Sequence, residues 1–373
     1  MKTLGIGLIG TGFMGKAHAF AYRAAPAVFP SIPQARLRMV ADVDATAAAN
    51  AAGQYGFETS TGDWRDLVND PAVDVVSITT PNSLHKEMAL AAIAAGKHVH
   101  CEKPLAPGLA DAQAMMTAAE ARGIHTQVGY NYIKNPLLKL ARDMIAAGEL
   151  GEITGFRGIH AEDYMANPDG PYTWRLDPSG GPGVIADLGS HIIGMARFLL
   201  GPVSSVAATV ETVVTSRPAA PGSSERRQVL VDDAARMIVR FARGCGGTIE
   251  ANWVATGRKM QLEFEISGSR GSLVFSQEHL NVLHFYKVGG DARHNGYLRI
   301  EAGPQHAPYG NFCVAAGHQL GFNDLKTIEM AEFLAAIGGG PKAGPDFREA
   351  WEIQKVVEAA IRSSGDGSRM LSI

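Results

Sequence analysis

Gly10-Thr11-Gly12-Phe13-Met14-Gly15, preceded by the apolar run Leu4 to Ile9, decides how this chain is read. A glycine-spaced turn between a buried strand and a helix reverses the chain tightly. It also leaves backbone N–H groups with no side chain in front of them and aims the positive end of a helix at the space above the turn. A pyrophosphate needs that arrangement. The six residues carry little weight alone, because the chain has 43 glycines in 373 residues. Their setting carries more: Lys16 to Ala25 is helix-like, and a second apolar run, Leu37 to Ala41, ends in the acid Asp42. The order predicts a dinucleotide site, with Gly10, Gly12, Phe13, Met14 and Gly15 around the phosphates and Asp42 at a ribose.

Asp42 also selects between dinucleotides. A carboxylate ending the second strand accepts from both ribose hydroxyls of NAD and repels the 2'-phosphate of NADP. Val43 and Asp44 follow, with no Arg or Lys beside them to hold a phosphate. NAD is therefore the expected cofactor, with NADP less favoured. The glycine-to-acid spacing exceeds the usual twenty or so residues, and Pro26 to Pro33 accounts for it as an insertion after the first helix.

Composition narrows the class. At 46% hydrophobic, 19% charged and a formal net charge of -3, the chain reads as an ordinary globular protein long enough for two domains. It has no basic run to attract nucleic acid or an anionic membrane, and no apolar run long enough for a membrane helix. The N-terminal apolar segment is short and leads into the glycine turn, so it is expected to be a strand and not a signal peptide. Cys101, Cys245 and Cys313 form no CxxC pair, which fits a reducing cytoplasm.

Strand and helix patterns alternate through the first third: helix Ala45 to Tyr55, then Trp64 to Val68, strand Val73 to Thr79, helix His85 to Ala95, strand His98 to Glu102, helix Leu109 to Arg122 and strand His125 to Val128. This βαβ rhythm predicts a doubly wound parallel sheet. Its ligand should lie beyond the strand C-termini, where Gly10, Asp42, Thr80 and Glu102-Lys103 fall. Beyond Tyr130 the rhythm changes. A helix over Pro136 to Ala147, a strand over Glu152 to His160 and a helix from about Val184 to Leu199 precede long alternating strands at Val206–Thr215, Val229–Ala242, Thr248–Ala255, Gln261–Ser267 and Leu273–Phe275. The expected fold is α/β: a Rossmann domain over residues 1–129, then an α+β domain over 130–373 with a large, open, mostly antiparallel sheet. One face of that sheet is expected to pack on helices and the other on another subunit, making a homo-oligomer, dimer or tetramer.

Four stretches resemble the glucose-fructose oxidoreductase, inositol dehydrogenase and rhizopine-catabolism family along nearly the whole chain. They are Gly10 to Gly15 with His18; Thr80-Pro81-Asn82-Ser83-Leu84-His85; Ala95-Gly96-Lys97-His98-Val99-His100-Cys101-Glu102-Lys103-Pro104; and Gly183-Val184-Ile185-Ala186-Asp187-Leu188-Gly189-Ser190-His191. The resemblance implies that Lys103, Asp187 and His191 meet at the nicotinamide, and that the Lys103-Pro104 bond is cis. Thr80, Pro81, Asn82, His85, Glu102 and Lys103 are implied to contact the cofactor, Asn82 at the nicotinamide ribose, although His85 reads equally well as structural. The chain departs from the family pattern at Gly194, where an acid is common, and at Asn131-Tyr132-Ile133-Lys134.

Elementary chemistry agrees with the implied roles. Oxidising a secondary alcohol requires a base for the hydroxyl proton and a positive group for the developing alkoxide. His191 suits the first role and Lys103 the second. Asp187, at i and i+4 with His191, shares its helix face, orients the imidazole or accepts from a substrate hydroxyl. Tyr172, Trp174 and Arg175 in a Pro/Gly-rich loop, and His318 in the polar loop Gly317 to Asp324, supply the aromatic platform and hydrogen-bonding groups of a sugar site, alongside Lys103, Asp187 and His191. His98 and His100 lack a third ligand and are expected to be packing residues, so no metal is expected. The implied reaction is NAD-dependent oxidation, to the ketone, of a ring hydroxyl on a cyclic polyol such as scyllo-inositol or on a pyranose sugar, L-glucose-like sugars and anhydrosugars included. Its rivals are a redox-neutral, NAD-retaining epimerase or glycosidase-like enzyme, a non-catalytic dinucleotide sensor, and a metal-dependent hydrolase using Asp187, His191 and His318.

Overall fold

A computed structural model describes residues 2–289 and 291–373. In chain order β1 (Thr3–Ile9), α1 (Phe13–Val28), β2 (Gln34–Ala41), α2 (Ala45–Tyr55), β3 (Thr59–Thr61), α3 (Trp64–Asn69), β4 (Val75–Ile78), α4 (His85–Ala94), β5 (His98–Cys101), α5 (Leu109–Arg122) and β6 (Thr126–Val128) alternate. The six strands pair in parallel in the order β3-β2-β1-β4-β5-β6. Strand order reverses between β1 and β4, which is where an open α/β sheet binds its ligand. Leu4, Ile6, Leu8, Val75, Val76 and Ile78 are wholly buried, as expected of strands covered on both faces. Local chemistry sets the ends of α2. The Asp44 carboxylate accepts from the N–H groups of Thr46 and Ala47, and Gly56 takes the left-handed conformation at φ 83° that closes the helix.

The segment Pro26 to Pro33, expected to follow the first helix, begins inside it. Pro26 is a buried part of α1, and the helix runs on past it to Val28, closed by the Phe29 N–H donating to Ala25 O at 2.8 Å. Burial of the proline ring offsets the hydrogen bond its nitrogen cannot make.

The later elements are α6 (Pro136–Ala146), β7 (Ile153–Ala161), α7 (Val184–Asp187), α8 (Gly189–Leu200), β8 (Val203–Glu211), β9 (Ser216–Pro218), β10 (Arg226–Gln228), β11 (Ala234–Phe241), β12 (Gly246–Asn252), β13 (Gln261–Gly268), β14 (Gly271–Ser276), β15 (Val282–Lys287), β16 (Leu298–Glu301), α9 (Phe322–Ile337), α10 (Phe347–Gly365) and β17 (Leu371–Ser372). A nine-stranded sheet runs β16-β15-β14-β13-β7-β12-β11-β8-β17, and β7–β12 is its parallel pair among otherwise antiparallel neighbours. Along β11, Met237, Val239 and Phe241 are buried while Arg236, Ile238 and Arg240 face out. Helix α8 covers the buried face over β7 and β12. The bare Gly158 permits this: a Cβ there would lie 2.8 Å from the Ile192 side chain.

Two compact units result, residues 1–134 with 321–352 and residues 135–320 with 353–373. A single division after residue 129 therefore misplaces 321–352. The reason is α9, whose Met330, Phe333 and Leu334 join Leu4, Ile6 and Tyr22 in the core of the first unit. Gly317 to Asp324, expected as one polar loop, is divided at the same point, because Phe322, Asn323 and Asp324 form the first turn of α9. Among the described residues no single helix is long and apolar enough to cross a membrane.

Candidate active site

In the first unit the glycine turn is built by exclusion. Gly10 has φ 99°, a left-handed conformation that glycine alone adopts cheaply, and its N–H donates to Ala41 O at 2.9 Å. A Cβ at Gly15 would sit 2.1 Å from Gly10 O, so the third glycine lets α1 pack onto the turn. A Cβ at Gly12 would meet nothing within 4 Å. Gly12 thus faces open space at the N-terminus of the 16-residue α1, where no side chain caps the free N–H groups. A pyrophosphate fits this cradle. Thr79, which the sequence reading passed over, donates its hydroxyl toward Ile9 O and Gly10 O, each at 3.0 Å. Phe13 is 73% exposed at the mouth and stacks on Phe322, their ring centres 5.8 Å apart.

Asp42 stands beside this turn. One of its oxygens accepts from the Thr11 N–H at 3.0 Å and the Thr11 hydroxyl at 2.6 Å, and the other from the Asp44 N–H at 3.2 Å. The carboxylate is half-buried and held in place with no cation beside it in sequence, as a ribose acceptor should be.

Lys103 follows β5, and the Lys103-Pro104 bond is cis. Glu102, expected at the cofactor, is turned inward and is 6% exposed. One Glu102 oxygen accepts from His18 Nε2 at 2.8 Å and from Lys326 Nζ at 3.0 Å, and the other from the Lys103 N–H at 3.2 Å. Lys326 also donates to Glu329 at 2.6 Å. Burial would push the Glu102 carboxyl up, but the Lys326 ammonium and the His18 bond hold it well below the usual range. Burial, then Lys326, lowers the His18 pKa to about 4, so its ring is neutral; Nε2–H donates to Glu102 and Nδ1 accepts from the Ser77 hydroxyl at 2.7 Å. His85 is also wholly buried, with Nδ1 3.0 Å from Pro104 O and Nε2 3.0 Å from Thr80 O. Both residues therefore support the strand ends from within. Thr80 and Asn82 are half-buried and Pro81 is exposed at the end of β4. His98 and His100 are packing residues: His98 Nδ1 accepts from the His125 N–H, and His100 lies edge-on to His18.

In the second unit, Asp187 and His191 do not share one continuous helix. Asp187 ends α7, Leu188 interrupts, and His191 belongs to α8, whose axis is bent 50° from the preceding turns. The break has a hydrogen-bonding cause. His191 N–H donates to Leu188 O at 3.1 Å, one residue short of the α-helical partner, and the same carbonyl takes His160 Nδ1 at 3.0 Å. The His191 ring is buried edge-on to His160, 5.5 Å between centres.

Asp187 accepts from the Tyr164 hydroxyl at 2.7 Å, and Arg175 Nε lies 3.5 Å from the same oxygen. The Arg175 guanidinium sits 4.5 Å above the Trp174 ring, and Trp174 is 44% exposed. Burial of its hydroxyl end, then the Asp187 charge, hold the Tyr164 phenol well above its usual range, so Tyr164 is a donor at any ordinary pH. Arg175, Trp174 and Asp187 thus come together. Tyr164, Glu162 and His160 complete the group, with His160 Nε2 3.1 Å from Glu162. No local motif marks them, since His160 lies near the end of β7 and Glu162 and Tyr164 just beyond it.

Models of two domains match this chain, an oxidoreductase family with an NAD-binding Rossmann fold at residues 4–130 and the GFO/IDH/MocA C-terminal domain at residues 138–274. The chain belongs to the GFO/IDH/MocA oxidoreductase family. It is similar to levoglucosan dehydrogenase of Pseudarthrobacter phenanthrenivorans, 37% identical over 99% of this chain and 98% of that one. Inositol 2-dehydrogenase of Rhizobium meliloti is 28% identical over 100% and 99%. A solved structure of levoglucosan dehydrogenase in complex with NADH and levoglucosan superposes with a TM-score of 0.95 at 37% identity, covering 100% of this chain and 99% of that one. The family assignment makes this chain an NAD-dependent oxidoreductase of the sugar and polyol dehydrogenase group.

The two departures from the GFO/IDH/MocA pattern are packed into the fold. Gly194 is buried within α8, while Lys134 pairs with Glu332 and with Gly344 O. Two other expected substrate residues have surroundings of their own. The Tyr172 hydroxyl is spent on Leu176 O at 2.5 Å and its ring carries Arg227, whereas His318 is exposed on the loop before α9. Tyr172 therefore braces the loop that presents Trp174 and Arg175.

Proposed function

We propose that this enzyme oxidises a ring hydroxyl of a neutral pyranose-type sugar, anhydrosugars included, or of an inositol, to the ketone. The observation that carries this reading is the Asp187 carboxylate held between Tyr164 and Arg175 beside the exposed Trp174 face. Acceptors and donors around an aromatic platform suit a ring bearing many hydroxyls. Asp187 and Glu162 disfavour a sugar acid. Full-length likeness to levoglucosan and inositol dehydrogenases supports the same class.

In this reading Gly10, Gly12, Phe13, Met14 and Gly15 hold the pyrophosphate, Asp42 a ribose, and Thr80, Pro81 and Asn82 the nicotinamide end. Bound NAD supplies the hydride acceptor. His191 takes the hydroxyl proton on its imidazole, the Lys103 ammonium stabilises the developing alkoxide, and Asp187 fixes the substrate or the imidazole. Glu102 and His85 act from behind, as supports. Replacing Lys103 with Ala should lower turnover by orders of magnitude while NADH affinity changes less than about threefold. Unchanged turnover would remove Lys103 from the chemistry.

The exposed sheet face supports assembly. Ile159, Thr209, Ile238 and Val274, with Arg157 and Glu265, line a shallow trough of about 570 Å³ on it. Apolar residues flanked by paired charges of both signs suit a self-complementary contact, so we assign this face to a second copy of the chain. The free cysteines Cys101, Cys245 and Cys313 accord with a reducing, cytoplasmic setting.

A further inference from the structure

Asp232 and Asp233 stand side by side just ahead of β11, both almost wholly buried, and neither has a part in the reaction described above. A buried carboxylate is costly unless its oxygens are satisfied. At Asp232 one oxygen accepts from the Gly183 N–H at 2.9 Å and the other from the Ile185 N–H at 2.8 Å. The Asp232 main-chain carbonyl accepts from the Val184 N–H at 2.9 Å. Three successive N–H groups, about fifty residues away in sequence, thus end on one residue. The approach is so close that a Cβ at Gly183 would lie 2.1 Å from Asp232 O. One turn later, Asp187 N–H donates to Gly183 O at 3.1 Å.

Asp233 is satisfied separately and reaches Asp187 through Trp253 and Tyr164. It accepts from Trp253 Nε1 at 2.5 Å and, through its second oxygen, from the Val213 and Val214 N–H groups at 2.8 and 2.7 Å. Trp253 packs edge-on to Tyr164, 6.1 Å between ring centres, and Tyr164 donates to Asp187. The backbone under Asp187 and the donor above it are therefore both anchored by this aspartate pair.

We infer that Asp232 is a positioning residue for the reaction: it fixes the turn Gly183–Asp187 and through it the Asp187 carboxylate, with Asp233 and Trp253 fixing the hydroxyl that Asp187 accepts from. This rests on the dehydrogenase reading above. A one-turn helix has too few internal bonds to hold its own place, so an outside clamp sets where its last residue stands. Misplacement of a reacting group by about 1 Å can cost about a hundredfold in rate.

The test is Asp232→Asn, which keeps the shape but turns an N–H₂ toward one of the two donors. Amide exchange over residues 183–187 should quicken at least about tenfold and kcat fall at least about tenfold, while NADH affinity and exchange in the first unit stay within about twofold. Trp253→Phe, which keeps a ring but loses the bond to Asp233, should lower kcat in the same direction and serves if Asp232→Asn fails to fold. Unchanged kcat in the variants that fold, with or without faster exchange, would overturn the inference, because the clamp would then be structural only. A wild-type protein silent with NAD on every sugar and polyol would instead refute the dehydrogenase reading. Exchange rates at 183–187 would then alone decide whether Asp232 holds the turn.

Discussion

Replacing Lys326 with Met removes the cation that two buried carboxylates share. Lys326 is wholly buried, with Nζ 3.0 Å from Glu102 and 2.6 Å from Glu329. Burial alone would pull its pKa down, yet the two carboxylates hold it above the ordinary lysine value, so the cluster contains a true ammonium ion. Methionine fills nearly the same volume but leaves Glu102 and Glu329 facing one another with no cation between them. Breaking a buried ion pair in this way costs about 3–5 kcal/mol, a large part of the about 5–15 kcal/mol that holds a domain folded. Urea unfolding at pH 7, followed by far-ultraviolet circular dichroism, should show the loss. The pH dependence carries the sign. Without Lys326 the two carboxyl pKa values rise, so between pH 7 and 5 the folded variant takes up protons that its unfolded chain does not, and the deficit relative to wild type shrinks. Glu329→Gln added to Lys326→Met should recover part of it. A deficit below about 1 kcal/mol at pH 7, or one that does not change with pH, would refute the reasoning.

Three further outcomes are expected. Asp42→Ala should weaken NAD binding far more than NADP binding in a fluorescence titration, and equal losses would exclude the ribose contact. Because burial holds His18 neutral down to about pH 4, its contribution is fully present above the ordinary value of 6.5 and is lost as pH falls from 6.5 to 4. That amounts to about 3 kcal/mol. In His18→Gln, unfolding between those pH values should take up about one proton fewer than in wild type, and an unchanged slope would contradict the assignment. Ile238→Glu, at a side chain 58% exposed on the open sheet face, should lower the mass seen by light scattering, whereas wild type already monomeric would remove the interface.

Most of the first unit was legible because its chemistry is local. The strand before Gly10 and the acid after β2 are each set within a few residues, and the ranges expected for the helices Ala45 to Tyr55 and Leu109 to Arg122 match α2 and α5, which the structure closes at Gly56 and Gly123. Long-range pairing was not legible. Pairing with β14 carries the sheet on through β15 and β16, and the expected strands ended with β14. Helix α9 joins the first unit through a core contact that no local pattern announces. The candidate site divides the same way. Asp187, Arg175 and Trp174 were visible as residue types, but the bond from His160 to Leu188 O at the break, 28 residues apart, and the approach of Tyr164 from just beyond β7 were not. Glu102 was read as a cofactor contact from its place at the end of β5 and from the family resemblance, and bonds from His18 and Lys326, 84 and 224 residues away in sequence, hold it inward.

The most direct test is the absorbance of NADH when the protein is mixed with NAD and each of a panel of pyranoses, anhydrosugars and inositols. The account predicts NADH appearing in proportion to ketone with at least one neutral polyhydroxy ring, faster with NAD than with NADP. Absence of reduced cofactor across the whole panel with both NAD and NADP would contradict it.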